Sequence, residues 1–516
     1  MGNEQIAATD SAMPGRVEEI ACDVLWPCTR SPTQVCQVLS NLATHNRVLW
    51  HLGLHLREDP RDNVGELSVV QAPGFNAEPH HSASDERAES FAIAVLRRLF
   101  EEHRCIVAAE VNHVVAKTDS LLGSLAAAPC LRRLTVAKIQ DCEPILEIDS
   151  WVMTTFNITG KRAIRSHSDT SSIGAALNAV GILLQRTDNV LKTLDIAALE
   201  ITGHALRRRI ILALCKNRTI AELAVPYSVI ACDSIAPRNS AKPFALYLAR
   251  ADATLRKLAI GSCSSCTATT LRLGSLIPAI WRMSTLEELN IVVHFNMREY
   301  EQFADVVANS QSLRSFAVRC CRDLQVSLLL APFHEADPRR LEAEAAIVEA
   351  LSAIHHVTKL TLTTGPLREQ HYRRLADRVL ENLGLRELSV TVMNDSFCDV
   401  FLDRLLPGLR YNYNIVRLQL EHSGGTFSDA MATAQNIVRR NCSIERRAVQ
   451  FVMGVHDPYC ARVVEIAAER LGFVEAVRRE AVVTKTEAAE KLKEALSIVR
   501  LADVPRIHEC TGWRRG

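Results

Sequence analysis

Leu286-Glu287-Glu288-Leu289-Asn290-Ile291 carries aliphatic side chains at its first, fourth and sixth positions. Successive side chains in a strand alternate faces, so the fourth and sixth point to one side and share one core. With some aliphatic drift the phrase recurs at Leu131/Leu134/Val136, Leu191/Leu194/Ile196, Ile220/Leu223/Val225, Leu255/Leu258/Ile260, Leu313/Phe316/Val318, Val357/Leu360/Leu362, Leu385/Leu388/Val390 and Ile415/Leu418/Leu420. The intervals between first positions are 60, 29, 35, 31, 27, 44, 28 and 30 residues. Six of the eight lie near a period of about 29, the spacing of stacked repeat architectures. A unit of that size cannot bury its apolar side alone, so the period predicts an α/β solenoid in which each copy is covered by the next.

Between the phrases the apolar pattern changes from period two to period 3.6, as at Ala205–Cys215, Met297–Val307, Leu341–Ile354, Gln370–Leu383 and Phe427–Val438. Each copy therefore reads strand, turn, helix. Asn217 and Ser310-Gln311-Ser312 supply the short polar turns that a tight helix-to-strand connection needs. The 60-residue interval is read as one worn copy around Ile145–Ile148 followed by a Ser/Thr-rich loop over 165–172, and the 44-residue interval as an insertion near 319–340. The resulting plan has an N-terminal cap or degenerate first repeat over 1–58 and a flexible loop over 59–90, with one short strand at Leu67–Val70. Some 10 to 11 repeats follow over 91–440, with helical patterning resuming at Phe91, and a helical C-terminal cap fills 441–516.

Composition narrows the class of function. Lys plus Arg number 60 and Asp plus Glu 59, a formal charge of +1, so no global field draws the chain to nucleic acid or anionic lipid. Arg207–Arg209 beside Ile210-Ile211-Leu212 reads as the solvated side of a helix. No signal peptide or membrane-length apolar run stands in the sequence, and Ile6 replaces the Ser or Thr that a myristoylation site at Gly2 needs. Sixteen irregularly spaced cysteines without an export signal point to reduced thiols in the cytoplasm or nucleus.

Unit length, strand-helix alternation and apolar ladder over Leu131 to Arg440 resemble the ribonuclease-inhibitor class of leucine-rich repeats, the horseshoe-shaped class found at the C-terminal end of NLR proteins. A second stretch is Asn441-Cys-Ser-Ile444-Glu-Arg-Arg-Ala448-Val449-Gln-Phe451-Val452-Met-Gly454, followed by Cys460-Ala461-Arg462. It resembles the segment that closes the repeats in arthropod proteins labelled NLR family CARD-domain-containing-like. The resemblance implies an innate-immune or signalling scaffold. It does not bring a nucleotide-binding module, because the nearest approach to a phosphate loop, Gly160-Lys161, has Thr155 in place of the first glycine and Arg162 in place of the magnesium-binding Ser or Thr. A CARD is not expected either, since residues 1–90 lack the helical continuity of a six-helix bundle.

Catalytic and metal-binding patterns are weak throughout. Cys263-Ser-Ser-Cys266 and Cys320-Cys321 both follow strand phrases, where structural thiols are expected. Cys22, Cys28 and Cys36 with His45 and His51 supply enough donors for zinc but miss the paired spacing of a local knuckle, and the adjacent pairs His80-His81 and His355-His356 point apart. No nucleophile elbow or His-Glu-x-x-His occurs. The expectation is a non-enzyme with no metal, no cofactor and no bound nucleotide.

With the leucines turned inward, the residues beside the second and third apolar positions face the concave side. One column reads Arg133, Thr193, Glu222, Lys257, Glu288, Ser315, Lys359, Glu387 and Arg417, and the next Thr135, Asp195, Ala224, Ala259, Asn290, Ala317, Thr361, Ser389 and Gln419. Four positive and three negative charges in the first column and Asp195 in the second sum to zero. A nucleic-acid groove would be one-signed, so a protein partner fits better, without nucleic acid or membrane. The candidate contacts are Arg133, Asp195, Glu222, Lys257, Glu288, Asn290, Lys359, Glu387, Arg417 and Gln419. Both columns lack the aromatic anchors common at hot spots, which keeps Tyr411, Tyr413, the insertion and the 58–90 loop as competing surfaces. The alternative is a substrate-recognition subunit of a ubiquitin ligase, but an F-box with its usual Leu-Pro start is not visible before Leu131.

Overall fold

The computed structural model describes residues 28–31, 36–58, 65–73, 83–136, 169–186, 190–199, 204–230, 242–251, 254–261, 276–292, 312–319, 357–364, 369–392, 396–422, 429–470 and 472–501, with a few single positions between. They form an α/β structure in two compact units, Met1–Cys232 and Asp233–Gly516.

In the first unit six strands lie side by side in chain order: β1 (Leu54–Glu58), β2 (Leu67–Gln71), β3 (Ile106–Val111), β4 (Arg133–Val136), β5 (Thr193–Asp195) and β6 (Glu222–Pro226). β1 and β2 form an antiparallel pair with Leu56 opposite Val69, and every later pairing is parallel. A parallel neighbour requires a crossover, and each crossover carries a helix: α1 (Ala83–Glu102), α2 (Asp119–Ala127), α3 (Asp169–Gln185) and α4 (His204–Lys216). Leu96, Leu99 and Phe100 of α1 sit three and four residues apart and are buried, as are Leu121, Leu122 and Leu125 of α2. Leu134, Leu194 and Leu223 of the strands complete this core, each burial contributing about 2 kcal/mol.

The second unit repeats the plan with β7 (Lys257–Gly261), β8 (Glu288–Val292), β9 (Ser315–Arg319), β10 (Lys359–Thr364), β11 (Glu387–Val392) and β12 (Arg417–His422), all parallel and in chain order. Its helices include α5 (Lys242–Ala251), α6 (Glu369–Glu381) and α7 (Ser396–Leu409). Four more follow the last strand: α8 (Asp429–Val452), α9 (Pro458–Ala468), α10 (Phe473–Ala481) and α11 (Lys485–Leu501). Phe451, Val464, Phe473, Val477 and Leu492 pack together among them in one apolar cluster.

All nine phrases read from the sequence fall on β4 to β12, with the helix-to-strand turn that the residue pattern predicts. Asn217 Oδ1 accepts the N–H groups of Thr219 at 2.9 Å and Ile220 at 3.0 Å, and Asn412 Oδ1 those of Asn414 at 2.8 Å and Ile415 at 3.2 Å. Each asparagine stands three residues before a phrase and satisfies backbone donors left over as the chain leaves the helix. The threonine just before a phrase reaches back to the first residue of the preceding phrase: Thr219 Oγ1 donates to the Leu191 carbonyl at 2.7 Å and Thr285 Oγ1 to that of Leu255 at 2.9 Å.

Three features differ from the sequence reading. β3 is a tenth rung, with Ala109 opposite Leu134 and Val111 opposite Val136, hidden because alanine takes the central leucine position. In the stretch over 59–90, expected as a flexible loop with one short strand, that strand is β2, and the difference is the helix α1, which begins at Ala83 rather than Phe91. The transition expected at residue 441 lies inside α8: the Asn441 side chain is buried and donates to the carbonyls of Asn412 at 2.8 Å and Ile415 at 2.9 Å, tying the middle of the helix to the turn before β12. Ile145–Ile148, the insertion from residue 320 on, Cys263–Cys266, Cys320-Cys321, Gly160-Lys161 and both adjacent histidine pairs lie outside the described residues, and α3 takes up 169–172 of the expected Ser/Thr-rich loop. Among the described residues no helix is long and apolar enough to cross a membrane.

Candidate functional site

The ten candidate contact residues all fall on strands, alternating with the buried apolar positions. In the first unit Arg133, Thr193 and Glu222 are in register across β4, β5 and β6, and Thr135, Asp195 and Ala224 form the next row. In the second unit Lys257, Glu288, Ser315, Lys359, Glu387 and Arg417 form one row across six strands, and Ala259, Asn290, Ala317, Thr361, Ser389 and Gln419 the next.

The charges in these rows are paired sideways. Lys257 Nζ lies 3.4 Å from Glu288, while Glu387 lies between Lys359 at 3.7 Å and Arg417 at 3.6 Å. In the first unit Thr193 donates to Glu222 at 3.3 Å, and Arg133 donates to Ser68 of β2 at 3.3 Å. The pairs are half-exposed and add little stability. Their effect is on the field: along the second unit's row the charged residues alternate in sign on either side of the neutral Ser315, so the row is not one-signed. Asn290 contributes a buried Oδ1 with no hydrogen-bond partner among the described residues, between Ala259 and Ala317. Among the competing aromatics, Tyr411 is exposed, whereas Tyr413 lies beneath the guanidinium of Arg440 at 4.6 Å. Arg207 of α4 donates to the Ile201 carbonyl at 2.7 Å, and Arg208 and Arg209 are exposed, as expected of a solvated helix side.

A second constellation lies where α1 turns into β3. His103 follows the last residue of α1, its N–H donating to the Leu99 carbonyl at 3.2 Å, and the N–H of Ile106 closes the turn onto the His103 carbonyl at 3.1 Å. Cys105 stands inside that turn, its carbonyl accepting the N–H of Leu67 in β2 at 2.8 Å. Cys28 and Cys36 come from the segment before β1, held together by Thr29 and Gln37. The N–H of Thr29 donates to Gln37 Oε1 at 3.2 Å, its hydroxyl to the same oxygen at 2.5 Å, and the N–H of Gln37 to Thr29 Oγ1 at 3.3 Å.

The donor atoms of Cys28, Cys36, His103 and Cys105 all lie within 4.8 Å of one another, and Cys36 Sγ is 3.4 Å from His103 Nδ1. Cys36, His103 and Cys105 are buried and Cys28 is partly exposed. The thiols act on one another. Hydrogen bonds from Cys105 and Cys36, and the backbone N–H of Arg30, push the Cys28 thiol far below its usual range, and Cys105, hydrogen-bonded to Cys28, is pushed up. Beside the cluster Glu66 is buried between Arg30, at 2.7 Å, and Arg132.

The expectation of no metal site rested on sequence spacing, which does not reveal this cluster. Cys28 and Cys36 do stand together, but their neighbours are His103 and Cys105. His45 is buried in the helix Leu42–Leu49, His51 is exposed, and Cys22 lies outside the described residues. Spacing within the first 51 residues does not show a set whose other half is more than sixty residues further on. The signal in the sequence is the short His103-Arg104-Cys105 at the end of a helical pattern, which places two donors in one turn.

No protein-family model and no curated protein matches the chain. Among solved structures it is similar to actin-binding site 2 of leiomodin-1, at 16% identity over 34% of this chain and 92% of that one, with a TM-score of 0.27. It is also similar to the C-terminal domain of tropomodulin from Caenorhabditis elegans, at 13% identity over 34% of this chain and 95% of that one, with a TM-score of 0.27.

Proposed function

We propose that this chain is a non-enzymatic, intracellular leucine-rich-repeat solenoid of the ribonuclease-inhibitor-like class, and that the exposed face of its strands binds another protein in an NLR-like signalling or immune role. The observation that carries the reading is the lateral pairing of the strand-face charges. A polyanion would be served by an uninterrupted row of Lys and Arg, whereas Lys257–Glu288 and Lys359–Glu387–Arg417 alternate in sign, which suits a partner offering both signs in a matching register. No nucleotide, metal-dependent catalysis or membrane contact enters this reading.

The test inverts the row and asks what is lost. Proteins captured from cytosolic extract by the wild-type chain are compared with those captured by the Lys359→Glu/Arg417→Glu variant, with thermal unfolding of both monitored. A partner retained by the wild type and lost by an equally stable variant supports the strand face. Signalling adaptors among such partners favour the NLR-like role, and cullin-complex subunits favour the ubiquitin-ligase alternative. Nucleotide hydrolysis by the purified chain overturns the non-enzymatic assignment.

A further inference from the structure

We propose that Cys28, Cys36, Cys105 and Nδ1 of His103 bind one zinc ion as a closed structural site that ties the start of the chain to the α1–β3 turn. Three thiols and an imidazole are the donor set of structural zinc, and without a carboxylate in the set the hard cations calcium and magnesium are excluded. A tetrahedron with metal–sulfur bonds of about 2.3 Å has donor–donor edges of about 3.8 Å. A spread within 4.8 Å therefore lies about an ångström from closure, and the Cys36–His103 edge, at 3.4 Å, already has a sulfur–nitrogen length. Four protein donors fill a zinc ion's coordination, leaving no position for water or substrate, which marks the site as structural rather than catalytic.

The surroundings are built for such an ion. Thiols buried only as apolar filler need not converge: Cys460 packs alone in the apolar cluster of α8 to α11. Here three sulfurs point at one spot from separate stretches of chain, and two of those stretches are held by hydrogen bonds that do not involve the sulfurs, the Thr29–Gln37 set and the backbone of the helix-to-strand turn. The N–H of Arg30 to the Cys28 sulfur is a donor that a metal-bound thiolate needs. A metal closing Cys36 onto His103 also closes a long loop, the case in which a cross-link restricts the unfolded chain most.

The experiment uses the full chain, purified with reductant and without chelator. Elemental analysis is expected to find about one zinc per chain, released by an organomercurial that titrates thiolates. Cobalt(II) added to zinc-stripped protein is expected to give thiolate-to-metal charge-transfer bands and the intense d–d bands of tetrahedral coordination, a readout on the wild type that does not depend on any variant folding. Cys36→Ser and His103→Gln should weaken cobalt binding by more than about tenfold, while Cys442→Ser, which alters an exposed thiol of α8, should leave it unchanged. A folded wild-type chain that carries no zinc and gives no cobalt spectrum overturns the site. So does zinc retained at full occupancy by both ligand variants, or a disulfide among Cys28, Cys36 and Cys105 in the reduced preparation.

Discussion

Glu66 in the first unit, buried, and Glu445 in the second, partly buried, are both carboxylates gripped by arginine, and their surroundings differ in a way that decides what each is worth. Glu66 has a side chain 5% exposed, but its partners Arg30 and Arg132 are 24% and 32% exposed, so each guanidinium keeps contact with water. Glu445 is 15% exposed and Arg386, which donates to both its oxygens at 2.5 Å, only 9%. Behind that pair lies Arg470, 7% exposed, 5.7 Å above the ring of Tyr413, with no hydrogen-bond partner for its guanidinium among the described residues. Burial pushes the Arg470 pKa down to about 10, and Glu445 is the main influence holding it up. An ion pair with an outlet to solvent can lose a member and rehydrate; one with two enclosed cations per carboxylate cannot.

The largest expected effect sets the scale against which both ion clusters are read. Leu289→Asp puts an unpaired charge at a buried strand position with apolar neighbours on both sides, opposite Leu258 and Phe316. It should cost more than about 4 kcal/mol and abolish a cooperative melt of the second unit. An unchanged melting profile would mean that the leucines do not face the core.

Glu445→Ala comes next and sharpens the contrast. It strands Arg386 and Arg470 together, and the expected loss is about 3 kcal/mol in denaturant unfolding. Adding Arg470→Met to the same chain should recover part of it, because the added substitution removes a buried charge that has no hydrogen bond. Glu66→Ala in the first unit should cost about 1 kcal/mol, since Arg30 and Arg132 turn to solvent. Equal losses at the two carboxylates would show that exposure of the partner cations does not set the cost.

How far the sequence alone reaches can be seen in the same places. The nine Leu-x-x-Leu-x-Leu phrases predict β4 to β12 because the strand period and the repeat period reinforce each other, and Asn217 predicts its turn because only a short polar side chain caps leftover amides there. The first unit was harder: Ala109 breaks the aliphatic signature of β3, and β1 pairs antiparallel outside any repeat. The candidate contacts on the strand face were legible as positions, since alternation follows from backbone geometry. Their pairing was not, because Glu387 could have reached either neighbour and reaches both. The cysteine cluster was legible least, since His103 and Cys105 meet Cys28 and Cys36 only through the packing of α1 beside β2 and β3, and no local spacing records that contact.

The smallest effect lies at the start of α11 and extends the comparison to a carboxylate held without any arginine. Glu487 accepts the N–H of Thr484 at 2.7 Å and its hydroxyl at 2.9 Å, while Thr484 Oγ1 accepts the N–H of Glu487 at 3.2 Å. This reciprocal box closes the first turn of the helix. The two hydrogen bonds from Thr484 hold the Glu487 carboxyl below its usual range. A carboxyl with a folded pKa below its unfolded value adds stability above the unfolded value, about 4.3, and loses it as pH falls through the lower folded value. The wild-type melting midpoint should therefore drop slightly more than that of Glu487→Gln between about pH 6 and about pH 3, because the amide cannot titrate. Other carboxylates shift both proteins alike, so the difference isolates the box. If the two midpoints move in parallel, the Thr484 hydrogen bonds do not outlast the exposure of Glu487 to water, and a carboxylate here needs an enclosed cation, as at Glu445, to matter.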